Sequence, residues 1–489
     1  SNLQSIVIPK SVTIFGEGNN GYGYQFASCS SLSSVTFEDG SQLTNISSFA
    51  FSYCSNLQSI VIPKSVTIFG EGSNGYGYQF ASCSSLSSVT FEDGSQLTNI
   101  SSYAFNNCNN LQSIVIPKSV TIFGEDSYGD GYQFASCSSL SSVTFEDGSQ
   151  LTNISSYAFN NCNNLQSIVI PKSVTIFGED SYGYGYQFAS CSSLSSVTFE
   201  DDSQLTNIPA QAFCYCEALQ SITIPKSVTT FGENSNGQGL QFDNCSSLSS
   251  VTFESGSRLT NIPSFAFNCC HNLQSITIPK SVTIMGEGGN GQGAQFAYCS
   301  SLKSVTFESG SQLTNIPSFA FYYCDNLQSI TVPKSVNEFG EDSNGEGCQF
   351  ESCLSLNSVI FENGSQLTKI ASRAFYYCEA LQSVTIPKSV TTFGENSSGC
   401  GYQFSSCSSL SSVTFESGSQ LTNIPSYAFF RCNNLQSITI PKSVTIMGEG
   451  SNGQGAQFAN CSSLSSVTFE SGSQLTNVSS YAFYYCSSL

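Results

Sequence analysis

Thiols, loop carboxylates, clustered phenols and one imidazole are the side chains in this chain that could do chemistry. There are 22 cysteines, and eighteen of them recur in phase, as Cys29 and Cys54 and the copies of each at 54-residue steps. Two readings stand for this column. Small thiols can pack as buried hydrophobes, or successive rungs, one strand spacing apart, can close into disulfides. Four cysteines fall out of phase: Cys214, Cys269, Cys348 and Cys400. Cys348 and Cys400 lie in successive equivalent loops and form the candidate disulfide. Zinc is not indicated, because no C-x-x-C occurs and the contiguous Cys269, Cys270 and His271 cannot easily converge on one ion.

A glutamate follows glycine in every copy of a glycine-rich loop, from Glu17, Glu71 and Glu125 to Glu449. Oxygen ligands in such a loop could hold Ca2+ weakly, although most copies lack a second carboxylate; no other cofactor is expected. The same loops carry Tyr22, Tyr24, Tyr76, Tyr78, Tyr132, Tyr184 and Tyr186. Their rings suit protein or glycan contact, or fold down over their own loops. N-x-S/T sequons at Asn45, Asn99, Asn153, Asn244, Asn363, Asn396, Asn460 and Asn477 are candidate glycosylation positions. The sole histidine, His271, stands where other copies have Ser, Asn, Asp or Glu, and nothing adjoining it completes a nucleophilic arrangement. Catalysis needs one distinctive pair in a partly buried environment, whereas these carboxylates recur in every unit. The chain is therefore expected not to be an enzyme.

The elements that must position these groups are set by an internal repeat. The string LQS(I/V) begins at Leu3 and returns at Leu57, Leu111 and each further 54-residue step to Leu435, without insertion or deletion. Each unit splits into a 29-residue coil, starting for example at Cys54, and a 25-residue coil starting at Cys83. The spacings Leu57, Ile60, Ile62 and Leu86, Val89, Phe91 end in period-two alternation, which predicts a short strand with one face inward. Val66, Phe69, Phe80, Leu97, Ile100 and Phe105 recur irregularly and are read as the return path. Such a coil cannot bury its own apolar side, but stacking equivalent coils makes each apolar position a continuous column. Lys10 and its eight copies alternate with acids such as Glu38 and Asp39, so stacking predicts basic rungs between acidic ones along one edge.

Composition narrows the partners. Lys and Arg number 14 against 34 Asp and Glu, for a net charge of −20 over 489 residues. Nucleic acid and anionic membrane surfaces are therefore not expected partners. No apolar run reaches the roughly 18–20 residues of a spanning helix. The motifs C-x-x-L-x-x-I-x-I-P-x-S-V-x-x-(I/F)-G and I-x-x-x-A-F-x-x-C resemble the BspA-like leucine-rich repeats of bacterial and protist surface proteins, and the resemblance covers all eighteen coils. It departs from them in the added loop of the longer coil and the F-E-D-G-S-Q-L segment of the shorter one.

The fold expected is a β-rich leucine-rich-repeat solenoid of nine 54-residue units, with short parallel strands and irregular return paths, spanning 1–489 as one domain. The resemblance implies an extracellular or cell-surface adhesion and structural scaffold that contacts protein or glycan ligands, without catalysis. Because Leu3 and Leu489 are in-phase core positions of incomplete coils, the polypeptide is expected to continue beyond them or to stack end to end. A self-assembling fibril subunit is the alternative function.

Overall fold

The computed structural model describes residues 2–489. Its chain forms two compact units, one of Ser1–Ser235 with Leu240–Leu248 and Phe253–Ser257, the other of Asn236–Gly239 with Ser249–Thr252 and Arg258–Leu489. Each is a parallel β-solenoid, and no helix occurs among the described residues.

Every coil opens with a four-residue strand. In Ser59–Ile62 the two isoleucines are buried and Ser59 and Val61 face solvent, as a period of two requires. The register advances by the longer coil and then by the shorter, from Ser59 to Ser88 and from Ser88 to Ser113. The return path, irregular by strand criteria, has an inter-coil ladder of its own. Phe26 N–H donates to Ala50 C=O at 2.7 Å, and Phe51 N–H to Gln79 C=O at 2.8 Å. Hydrogen bonds between coils thus run on both sides of the coil.

Between the two ladders runs the core. In the first unit Phe26, Phe51, Phe80, Phe105, Phe134, Phe159, Phe188, Phe213 and Phe242 stack with ring centroids 5.1 to 5.5 Å apart. An equivalent column in the second unit runs from Phe267 to Phe483. Each buried ring contributes about 1.5–3 kcal/mol of transfer free energy.

The expected lysine–acid edge is present but built differently. In all nine copies the glutamate of the shorter coil accepts from the lysine's backbone N–H, as in Lys64 N to Glu92 Oε2 at 2.9 Å. Among the described residues the only ion pairs are Lys369–Glu341 and Arg373–Glu346, neither of which involves this edge. The reason is local. Pro63 and its copies end the strand, so the next N–H has no ladder partner and a carboxylate caps it.

Candidate functional site

Two surfaces carry the residues that could bind. On the strand face, the longer coil pairs with the following shorter one over four positions, Ser59↔Ser88 through Ile62↔Phe91. The shorter coil pairs with the next longer one only at Ser88↔Ser113. The corner after Phe91 turns at Glu92–Ser95, where Ser95 N–H donates to Glu92 C=O at 3.0 Å and Gly94 has φ 76°. A groove of about 320 Å3 opens there, lined by Ser88, Thr90, Phe91, Asp93, Val115 and Glu146. Its counterpart one unit earlier, at Thr36, Phe37 and Val61, measures about 340 Å3. The second unit repeats it at Thr306 with Thr331 and at Thr414 with Thr439. The floor is half-buried phenylalanine with exposed Val or Thr, and the rim is acidic.

The second surface is the layer of glycine-rich loops. An invariant glutamine closes each one: Gln79 Nε2 donates to Gly70 C=O, and Gln187 Nε2 to Gly178 C=O at 2.6 Å. The Gln79 carbonyl accepts from Ser101 Oγ on the next coil at 2.6 Å. Loops also stack directly on loops, with Ser127 N–H donating to Asn74 C=O at 2.9 Å. At Gly75, φ is +79° and a Cβ would lie 2.7 Å from Glu125 O, so only glycine fits. The invariant Gly-Glu pair has a similar cause. A Cβ on Gly124 would meet Glu71 Oε1 of the preceding loop at 2.5 Å. Burial pushes the carboxyls of Glu71, Glu179, Glu233, Glu287 and Glu395 above the usual range. Glu125, with the charges of Asp126 and Asp130 added to burial, reaches about 7.

Tyr24, Tyr78, Tyr132 and Tyr186 join Phe49, Tyr103 and Tyr157 of the shorter coils in one stack, at 4.2 to 4.8 Å between centroids. Tyr22, Tyr76 and Tyr184 lean on it at 5.8, 5.7 and 5.2 Å. All seven stacked residues have φ between 51° and 58°, a left-handed backbone that costs bulky side chains roughly 1–2 kcal/mol each. Ring stacking offsets that cost. The faces of these rings are covered and their edges remain accessible. Loop tips are more open at Tyr128 and Tyr182, which are 60% and 64% exposed; position in the loop, not residue type, separates them from the stacked rings.

The family description "BspA type Leucine rich repeat region (6 copies)" fits residues 1–132, 76–185, 129–240, 238–349 and 346–489. The chain belongs to the BspA-type leucine-rich repeat family. No curated protein matches it. Among solved structures it is similar to a leucine-rich repeat protein from Bacteroides ovatus, with TM-score 0.56 and 22% identity over 90% of this chain and 88% of that one. A leucine rich cell surface protein from Faecalibacterium prausnitzii aligns at TM-score 0.36 and 23% identity, over 85% and 88%.

In this BspA-type array the in-phase cysteines form a buried thiol column with a definite bonding role. From Cys54 onward the recurring bond runs from Sγ to the phenylalanine carbonyl one coil back, as in Cys83 to Phe51 O and Cys108 to Phe80 O, both at 3.2 Å. No disulfide is formed among the described residues. Cys348 and Cys400 are not brought together. Cys348 directly precedes Gln349 while Cys400 lies three residues before Gln403, so stacking does not superpose them; Cys348 sits beside Glu351, and Cys400 turns to Ser398 O.

The sequon asparagines divide by environment. Asn45, Asn99 and Asn153 clamp the preceding coil, the Asn99 amide accepting from Phe69 N–H and donating to Phe69 C=O, each at 2.9 Å. Asn244, Asn396 and Asn460 are half-buried, and Asn363 and Asn477 are exposed. His271 Nδ1 donates to Tyr298 C=O at 2.9 Å, a tie between coils. Among the described residues no three His, Cys, Asp or Glu side chains gather as a metal site, and no helix is long and apolar enough to cross a membrane.

Proposed function

We propose that this protein is a non-enzymatic extracellular or cell-surface scaffold for adhesion, binding protein or glycan partners through many weak, repeated contacts. The observation that carries this reading is the strand-face groove, which recurs with nearly the same lining at Thr36, Thr90, Thr306 and Thr414. A receptor for one ligand varies such positions from coil to coil. Repetition instead favours a partner that engages several grooves at once, where effective concentration multiplies modest affinities. The acidic rim, with net charge −20, favours basic or neutral partner segments. Family membership and the surface location stated for the Faecalibacterium protein are consistent with display outside the cell.

The test is binding to immobilised surface glycoproteins at graded density. Residence time is expected to lengthen with density, and Thr90→Lys, Thr144→Lys and Thr306→Lys, made one at a time, are expected to weaken binding by small, similar steps. Loss of all binding from any single one of these changes would replace multivalency with a unique site.

A further inference from the structure

The loop at Glu125–Gly131 differs from its copies in one respect. Asp126 is 7% exposed, and its Oδ1 accepts from the backbone N–H of Tyr128 at 2.8 Å and of Asp130 at 3.0 Å. Its other oxygen, Oδ2, is buried without a hydrogen-bond partner. At the equivalent aspartates that oxygen has a donor: Tyr157 Oη reaches Asp180 Oδ2 at 3.1 Å, and Asn344 Nδ2 reaches Asp342 Oδ2 at 3.4 Å. The tyrosine in Tyr157's place one unit earlier is Tyr103, and it does not reach Asp126 Oδ2. An ionised oxygen left in that state is costly unless something positive joins it.

Elsewhere in the array a cation joins the second acid of such a pair. Only two loops place a second acid four residues after this aspartate: Asp126 with Asp130, and Asp342 with Glu346. At the latter the next coil supplies a guanidinium, with Arg373 Nη2 3.5 Å from Glu346 Oε1. At the former the residue in Arg373's place is Tyr157, which carries no charge. The third loop therefore holds the acid pair without the built-in cation.

We propose that the Glu125–Gly131 loop binds a Ca2+ ion, with the carboxylates of Asp126 and Asp130 as its charged ligands. The donors at hand are all oxygens, namely two carboxylates, the Tyr103 hydroxyl and loop carbonyls, and such a set selects a hard cation that tolerates irregular coordination and water. Two carboxylates make a weak site, with a dissociation constant of about 0.1–1 mM, in the range of extracellular calcium modules. The other loops lack one acid of the pair or, at Asp342, already have their cation. This inference stands apart from the adhesion reading, since it concerns the loop layer and not the strand face.

The neighbouring Tyr103 and Tyr132 give the experiment its probe, because tyrosine excitation sensitises bound Tb3+. Tb3+ titrated into the intact chain should give emission that saturates at a single ion and is displaced by Ca2+. Asp126→Asn should weaken that binding by more than about tenfold, the loss expected from removing even an outer partner of a metal site. The substitution keeps the turn, since Asn396 occupies the same position in its own loop and accepts from Ser398 and Cys400 N–H at 3.0 and 3.1 Å. Asp342→Asn should leave the signal unchanged. Absence of a saturable, Ca2+-displaceable signal overturns the proposal, as does a signal that survives Asp126→Asn.

Discussion

Cysteine holds its position in each coil because it does two things at once. It is small enough for the core, and its S–H adds a second hydrogen bond to a phenylalanine carbonyl one coil back, as Cys108 does at 3.2 Å to Phe80 C=O, which also accepts from Cys83 N–H at 3.1 Å. Leucine in that place would supply bulk without a donor. Cys108→Ala removes one of the two donors while Cys83 N–H still pairs the carbonyl, so it is expected to cost about 0.5–1.5 kcal/mol. Urea denaturation of the intact chain measures this, and an unchanged midpoint would show the thiol to be only filler. The same thiols are poor nucleophiles in place, burial pushing Cys137 and Cys191 up to about 12.

At the scale of one element, the loop of the longer coil depends on how its glutamine is satisfied. Gln79 and Gln133 accept from a serine on the next coil, at 2.6 and 2.5 Å. Where that serine is proline or alanine, at Pro209, Pro317, Ala371 and Pro425, the oxygens of Gln187, Gln295, Gln349 and Gln403 are buried without a donor. Proline recurs at this place because it stiffens the unfolded chain, by about 0.4–1 kcal/mol, and so offsets part of the lost bond. Ser155→Ala is therefore expected to destabilise more than Ser155→Pro, with both compared by thermal melting. The reverse order would remove this account of the prolines.

Across the whole molecule the loop glutamates act as a set. Glu71, Glu179, Glu233, Glu287 and Glu395 all hold their protons to higher pH when folded than an unfolded chain would, and Glu125 does so up to about 7. Over that interval the folded chain binds more protons than the unfolded one. Stability is then greatest below the ordinary carboxylate range and is lost as pH rises through the folded values. The melting temperature is expected to fall between about pH 5 and about pH 8, in the same direction as the self-repulsion of a chain with net charge −20. A melting temperature that rises over this range would mean that the glutamates are paired and not merely buried.

Much of this protein follows from its sequence alone. A strict 54-residue period, two coils per period and apolar positions at strand spacing leave stacking as the way to bury Leu57, Ile60, Phe80 and their copies, and the thiol column comes with them. Contacts between one coil and the next were decided only by the tertiary structure. They include the partial pairing beside which the strand-face grooves open, the Glu92 carboxylate on Lys64 N–H in place of an ion pair, and the continuous stack of loop tyrosines. The physical reason is the same in each case. A repeat states which residue types recur, but which donor meets which acceptor depends on how far one coil is displaced against the next, and Asp126 Oδ2 is one acceptor left without a donor.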